Sequence, residues 1–585
     1  MMSNRLLLKG LCASGALFAG VLCAVAGGGA EKADPRTRTF VSPVRVVWTS
    51  QGATYGDRAS VKDAEALLRP VHGQVPERQW GQPSGCTLEN RGAPAGLVLD
   101  FGRELHGGLH IANGAQGQPG MRVRLRFGES VGEVMAEFGE KSATNDHAIR
   151  DSIETLPAFG GREFGNTGFR FVRIDLVSMG RLTLESVRAV SLMRPMARVG
   201  AFKSSDARLN AVWETAVRTV HLCCQDYLWD GIKRDRLVWL GDMHPETRAI
   251  LSVFGAAAVL PESLDYAIAT TPTNTWMNTM PNYTLWFLRN VHDWYAYTGD
   301  AGYVRARAAY LKATIDRVLG HMDADGHSTM PGFLDWPTQH NQPAVVAGTQ
   351  ALHALALDDA AVLADVMGNA ALAARCRAGA AKLRTIHPEP EGAKSAAALL
   401  ALGGLRTPKE MFDQVLGQKG LAGVSTFYGY YMLEAMSAAG RNQHALNTVR
   451  DYWGAMLDMG ATSFWEDFNV AWTNNATRID ELPAPGKKDI HGDFGEFCYP
   501  GYRHSLCHGW SAGPAAWCIN HVLGLQAMDV GCKTIRVKPF LGDLQWAEGA
   551  LATPFGPVRV RHVKKPDGTI ETAVEAPHGV KIVRE

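Results

Sequence analysis

A chain of 585 residues is too long for a single hydrophobic core, so two to four domains are expected. Its 59 basic and 58 acidic residues leave a formal net charge of +1, which offers no long-range field to nucleic acid or to an anionic membrane. A neutral ligand recognised through local contacts suits that balance, and no nucleic-acid partner is expected.

The chain opens as a targeting segment. Arg5 and Lys9 precede an apolar stretch from Leu11 to Ala26, and Ala24-Val25-Ala26 has the small-residue pattern of a cleavage site. The apolar stretch is short for a membrane span. Residues 1–26 therefore read as a signal peptide and 27–39 as a linker, giving an exported protein, periplasmic or secreted, with no membrane association after cleavage. The cysteines from Cys86 onward lack metal-ligand spacing and read as small buried hydrophobes.

From 40 to 198 the pattern is β. Segments such as Val123-Arg-Leu-Arg-Phe127 and Phe169-Arg-Phe-Val-Arg-Ile-Asp-Leu176 alternate apolar and polar residues between glycine-rich turns, which predicts a sandwich or jelly roll. Near Phe202 the period changes. Ser204, Ser205 or Asp206 can cap a helix through Leu209, Val212, Trp213, Val217 and Val220. Roughly a dozen helical patterns follow up to residue 530, without a fixed repeat. An (α/α)6 barrel over 199–530 accommodates them. Residues 531–585 return to β, with Val558-Arg-Val-Arg561 and Thr569 to Val574 flanking a Pro566-Asp-Gly568 turn, a small C-terminal sandwich. The predicted fold is thus multidomain: a barrel flanked by two β domains.

Three segments of the barrel carry chemistry. Asp230 to Asp242 packs three aspartates, two arginines and Trp239 into thirteen residues, a density suited to gripping a sugar and moving a proton. Asp230 and Asp242 can accept from sugar hydroxyls. Asp235, between Arg234 and Arg236, is either a proton donor or a salt-bridged structural acid, since flanking positive charge lowers a carboxyl pKa. The second segment, Gly460 to Asn469, holds Glu466 after Trp465. The third, Tyr499 to Trp510, holds Arg503, His504, Cys507 and His508, with no obvious third ligand for a metal. No metal or other cofactor is expected. Tyr283, Trp286, Asp335 and Trp336 add aromatic faces and an acid, and an aromatic platform would bind a deoxysugar methyl well.

At these residues the chain resembles bacterial α-L-rhamnosidases of glycoside hydrolase family 78. That family's motif reads Asp-x-Pro-x-Arg-Glu-x-x-x-Trp-x-Gly-Asp, and Asp230, Arg234, Trp239, Gly241 and Asp242 stand at matching spacings. Two positions depart from it: Asp235 replaces the glutamate and Ile232 the proline. The resemblance implies an inverting exo-glycosidase that removes terminal α-L-rhamnose from glycosides or plant or algal oligosaccharides. Asp235 would be the general acid and Glu466 the general base. Asp230, Arg234, Trp239, Asp242, Trp286, Asp335, Trp336 and His508 would bind substrate. Glu246 is an alternative donor for the shortened acid. Two other readings keep the fold: a lyase acting on rhamnose linked to uronic acid, its carboxylate met by Arg234, Arg236 and Arg503, and a non-catalytic sugar-binding protein.

Overall fold

The computed structural model describes residues 33–50, 55–70, 85–114 and 120–585. The expected signal peptide and most of the linker lie outside the described residues. The end of that linker is not a linker. Thr37–Val41, rich in β-branched residues, is a strand paired antiparallel with Gly180–Met193.

The N-terminal domain is a nine-stranded sheet. Its spine is the pair Ala95–Asn113 and Gly160–Leu176. Side chains alternating along the strands place Leu97, Leu99, Leu109, Ile111, Phe127 and Phe169 in one apolar core. Register shifts between Asp100 and Leu105 interrupt the ladder and bend the spine, so the sheet curls over that core.

The helical region is a closed double ring. Met243–Val253, Pro281–Thr298, Gln342–Val366, Lys394–Leu402, Gly429–Ala438 and the run 509–522 contact one another in turn, and the last returns to the first. Each is preceded in sequence by an outer partner: Ala207–Cys223, Val259–Thr270, Ala308–Leu319, Ala370–Leu383, and the runs 408–416 and 442–458. An inner helix faces neighbours on every side, which is why Lys394–Leu402 is buried from Lys394 through Ala401. The first outer helix is capped by Asp206, whose carboxylate accepts from the amides of Arg208 and Leu209.

The C-terminal domain has two small sheets and takes in two strands from before residue 531. Leu525–Ala527 belongs to it by pairing with Thr534–Val537. Ala201–Ser204, assigned to the barrel from sequence, pairs with Trp546–Leu551. The expected hairpin joins Val558–Lys564 to Ile570–Glu575. Gly568 takes φ +84° in its turn, a conformation that favours glycine. No helix among the described residues is long and apolar enough to cross a membrane.

Candidate active site

One end of the barrel holds a cavity of about 440 Å³. It is walled by loops that precede inner helices and by one residue of the N-terminal domain, His147. Asp230, Arg234, Asp235, Trp239, Asp242, Trp336, Glu466 and His508 all line it, so residues far apart in sequence converge there.

The loop from Asp230 to Asp242 is folded by its own backbone. Asp230 N donates to Leu237 O at 3.0 Å, and Leu237 N donates to Asp230 Oδ1 at 2.9 Å. Asp230 O accepts from Gly509 N at 2.7 Å, which ties this loop to the one bearing His508. Gly241 is required for close approach, because a Cβ there would lie 2.4 Å from the Tyr283 ring. Tyr283 donates its hydroxyl to Asp242 Oδ1 at 2.8 Å.

His508 is the hub. Its Nε2 lies 3.5 Å from Asp230 Oδ2, 3.7 Å from Asp242 Oδ2 and 3.5 Å from Glu466 Oε1. Glu466 is fixed from both sides: Arg234 Nη2 donates to Oε1 at 2.6 Å and Ser505 N to Oε2 at 3.2 Å. Trp510 Nε1 donates to the Glu466 carbonyl at 2.9 Å. Burial pushes Asp230 well above the usual carboxylate range, with the negative charge of Asp235 adding to it. Burial likewise pushes Asp242 up to about 7, against the opposing pull of His508. Burial lowers His508 itself. Burial thus favours the neutral form of both aspartates beside the imidazole.

The apolar wall suits the flat face of a sugar. Trp239 stands edge-on to Tyr283, with centroids 5.8 Å apart, and Trp336 edge-on to Phe333 at 5.2 Å. Two expected members are absent from this wall. Trp286 lies one helical turn deeper than Tyr283, between His244 at 4.8 Å and Tyr431 at 4.9 Å, and is a core residue. Asp335 is turned away to accept from Thr338 N at 3.0 Å and from the Ser425 hydroxyl at 2.8 Å, where it fastens its own loop. Glu246, the alternative donor, is buried behind Gly509, whose added Cβ would meet its Oε1 at 1.6 Å. It does not line the cavity. Ile232, in the place of the motif's proline, is fully buried against Gly168 of the N-terminal domain.

Sequence reasoning missed several contributors. Phe497 lines the cavity and stacks on Trp336, and its neighbour Tyr499 was a usable signal. His147 had none, lying in the β domain far from every motif. Glu129, Glu133 and His491 bring ligand atoms within 4.8 Å of one another, the spacing of a metal triad. A protein cation sits there: Lys233 Nζ lies 3.3 Å from Glu129 Oε2 and 3.0 Å from Glu133 Oε1, and donates to the carbonyls of Tyr502 and His504. The cysteines from Cys86 onward are all unpaired, and only Cys498 is partly exposed.

The fold and the pocket together define a six-hairpin (α/α)6 protein, flanked by two β domains, with an acid-lined cavity at one end of the ring. Residues 197–388 match the family model described as the bacterial alpha-L-rhamnosidase 6 hairpin glycosidase domain, and residues 524–583 match that of the bacterial alpha-L-rhamnosidase C-terminal domain. These two segments are domains of that family. Solved structures agree on the fold. A family 78 rhamnosidase of Bacillus sp. GL1 superposes with a TM-score of 0.72 at 22% identity, over 89% of this chain and 55% of that one. A rhamnose-bound rhamnosidase from Klebsiella oxytoca gives 0.62 at 20%, over 83% and 95%. The Streptomyces avermitilis α-L-rhamnosidase complexed with L-rhamnose gives 0.65 at 18%, over 83% and 48%. The chain thus spans about half the length of the Bacillus and Streptomyces proteins. No curated protein sequence matches it.

Proposed function

We propose that this chain is an exported, inverting exo-α-L-rhamnosidase. The observation that carries the reading is the His508 hub, which gathers Asp230, Asp242 and Glu466 in a cavity that Asp235 also lines. In this reading Glu466, oriented by Arg234 and Ser505, takes a proton from water as it attacks the anomeric carbon. Asp235 protonates the leaving oxygen on the other face of the ring. Inversion calls for the two carboxyls to stand roughly 6.5–9.5 Å apart, with room for that water. Asp230 and Asp242 receive ring hydroxyls, and Trp239 with Trp336 faces the methyl group.

The lyase reading draws no support from the cavity. It needs uncommitted cations, yet Arg234 is held by Glu466 and by the Cys498 carbonyl, and Arg503 donates to Asp146 at 2.6 Å. Hydrolysis of aryl α-L-rhamnosides, followed by NMR of the first-formed anomer, tests the proposal. Glu466→Gln and Asp235→Asn should each lower kcat by about 10²–10⁴-fold on a substrate with a poor leaving group. Full activity in both variants, or a retained anomer, would overturn it. Export is tested by finding the protein, shortened near Ala26, outside the cytoplasm of the cell that makes it.

A further inference from the structure

Asp235 and Arg236 are consecutive non-glycine residues in the left-handed region, at φ +52° and +57°. Such a residue is disfavoured and persists only where its surroundings dictate it. Beside the loop's own backbone bonds, ties from the N-terminal domain hold this turn. Arg236 Nη2 donates to His147 O at 2.8 Å, and Arg236 Nη1 donates to Asn166 O at 3.0 Å. The Asp235 amide donates to His147 Nδ1 at 3.2 Å, and Asp235 Oδ1 lies 3.2 Å from the same nitrogen. A shortened acid reaches only where its backbone puts it, so whatever holds this turn places the carboxyl.

The far side of the imidazole is held as well. Arg503 Nη2 lies 2.8 Å from His147 Nε2, and Asp146 Oδ2, 3.4 Å from the same nitrogen, accepts from Arg503 Nε at 2.6 Å. Both ring nitrogens are thus engaged, Nδ1 by the Asp235 amide and Nε2 by the Arg503–Asp146 pair, which fixes the ring against the turn.

We propose that His147, supplied by the β domain, is the positioning residue for Asp235: its Nδ1 accepts the Asp235 amide and its carbonyl holds Arg236, so that ring and backbone together clamp the strained turn that carries the short carboxyl. The role in catalysis rests on the proposed hydrolysis, in which Asp235 is the acid. Its signature is dependence on the leaving group. On an alkyl α-L-rhamnoside, which needs a proton, His147→Ala should lower kcat by about 10–100-fold, within the usual range for general acid catalysis, and leave KM almost unchanged. On a dinitrophenyl α-L-rhamnoside, which leaves unprotonated, the loss should nearly vanish. His147→Asn, whose amide oxygen keeps an acceptor near the place of Nδ1, should recover most of the alkyl activity. Equal losses on both substrates, or an effect on KM alone, would overturn the positioning role.

A second measurement needs no turnover. In hydrogen–deuterium exchange, the amides around Asp235 and Arg236 should exchange faster in His147→Ala than in the wild type. Unchanged exchange there overturns the proposal even if rhamnosides are cleaved. If no rhamnoside is cleaved but this segment loses protection, the hydrolase reading falls and the positioning of Asp235 stands.

Discussion

Asp242 shows how burial turns a side chain into a pH-dependent load on the fold. Its carboxyl is held near 7, far above the value of about 3.9 in an unfolded chain. A raised folded pKa means that its stabilising effect is complete below the unfolded value and is lost as pH rises through 7. Asp242→Asn, which carries no charge to bury, should therefore escape that loss. The wild-type melting temperature should fall relative to the variant between about pH 4 and pH 7, and parallel curves over that range would refute the assignment. The residues of this cluster were legible in sequence because Asp230, Arg234, Trp239, Gly241 and Asp242 share one short loop with fixed spacing. Glu466 and His508 were legible through their aromatic neighbours. Trp286 was misread because helical spacing tells which face a residue occupies and not how far along the helix the cavity ends.

Among elements, the loop before the first inner helix depends on the ammonium of Lys233. Burial pushes Glu129 up to about 8, despite the opposing charge of Lys233. Glu129 also accepts from Leu506 N at 2.6 Å, next to the Ser505 amide that holds Glu466. Removing one partner of a buried ion pair commonly costs about 3–5 kcal/mol. Lys233→Met should lose stability on that order, read as a lower denaturant midpoint, and an unchanged midpoint would show that the carboxyls do not rely on it. This network was illegible in sequence because Glu129 and Lys233 belong to different domains, Glu129 carries no motif, and Lys233 stands at an unspecified position of its own motif. The helices themselves were legible, since each inner helix shows its burial as a run of small and apolar residues. The reach of the C-terminal domain was not, because Ala201–Ser204 is a short strand whose partner lies in Trp546–Leu551.

Taken whole, the N-terminal domain and the barrel share buried polar ties. Arg170 spans from the paired Asp100 carboxylate to the Gly460 carbonyl, donating to each at 2.9–3.0 Å. Ser130 and His491 are joined at 2.8 Å, and Glu104 N donates to the Thr462 hydroxyl at 2.8 Å. Domains coupled in this way should melt together, because separating them strands buried charge. Calorimetry should show one transition covering both, and two well-separated endotherms would contradict it.

The strand Ala201–Ser204 also sets an order of events during synthesis. It emerges from the ribosome before the barrel begins, yet the strand that pairs with it is made only after the whole ring. The ring has the same habit, since its first inner helix waits for the run 509–522 to close against it. Sequence-distant contacts of this kind make folding slow and leave apolar surface open while the chain is unfinished. A nascent chain stopped before the run 509–522 should thus be held by chaperones, with the acid pocket still unassembled.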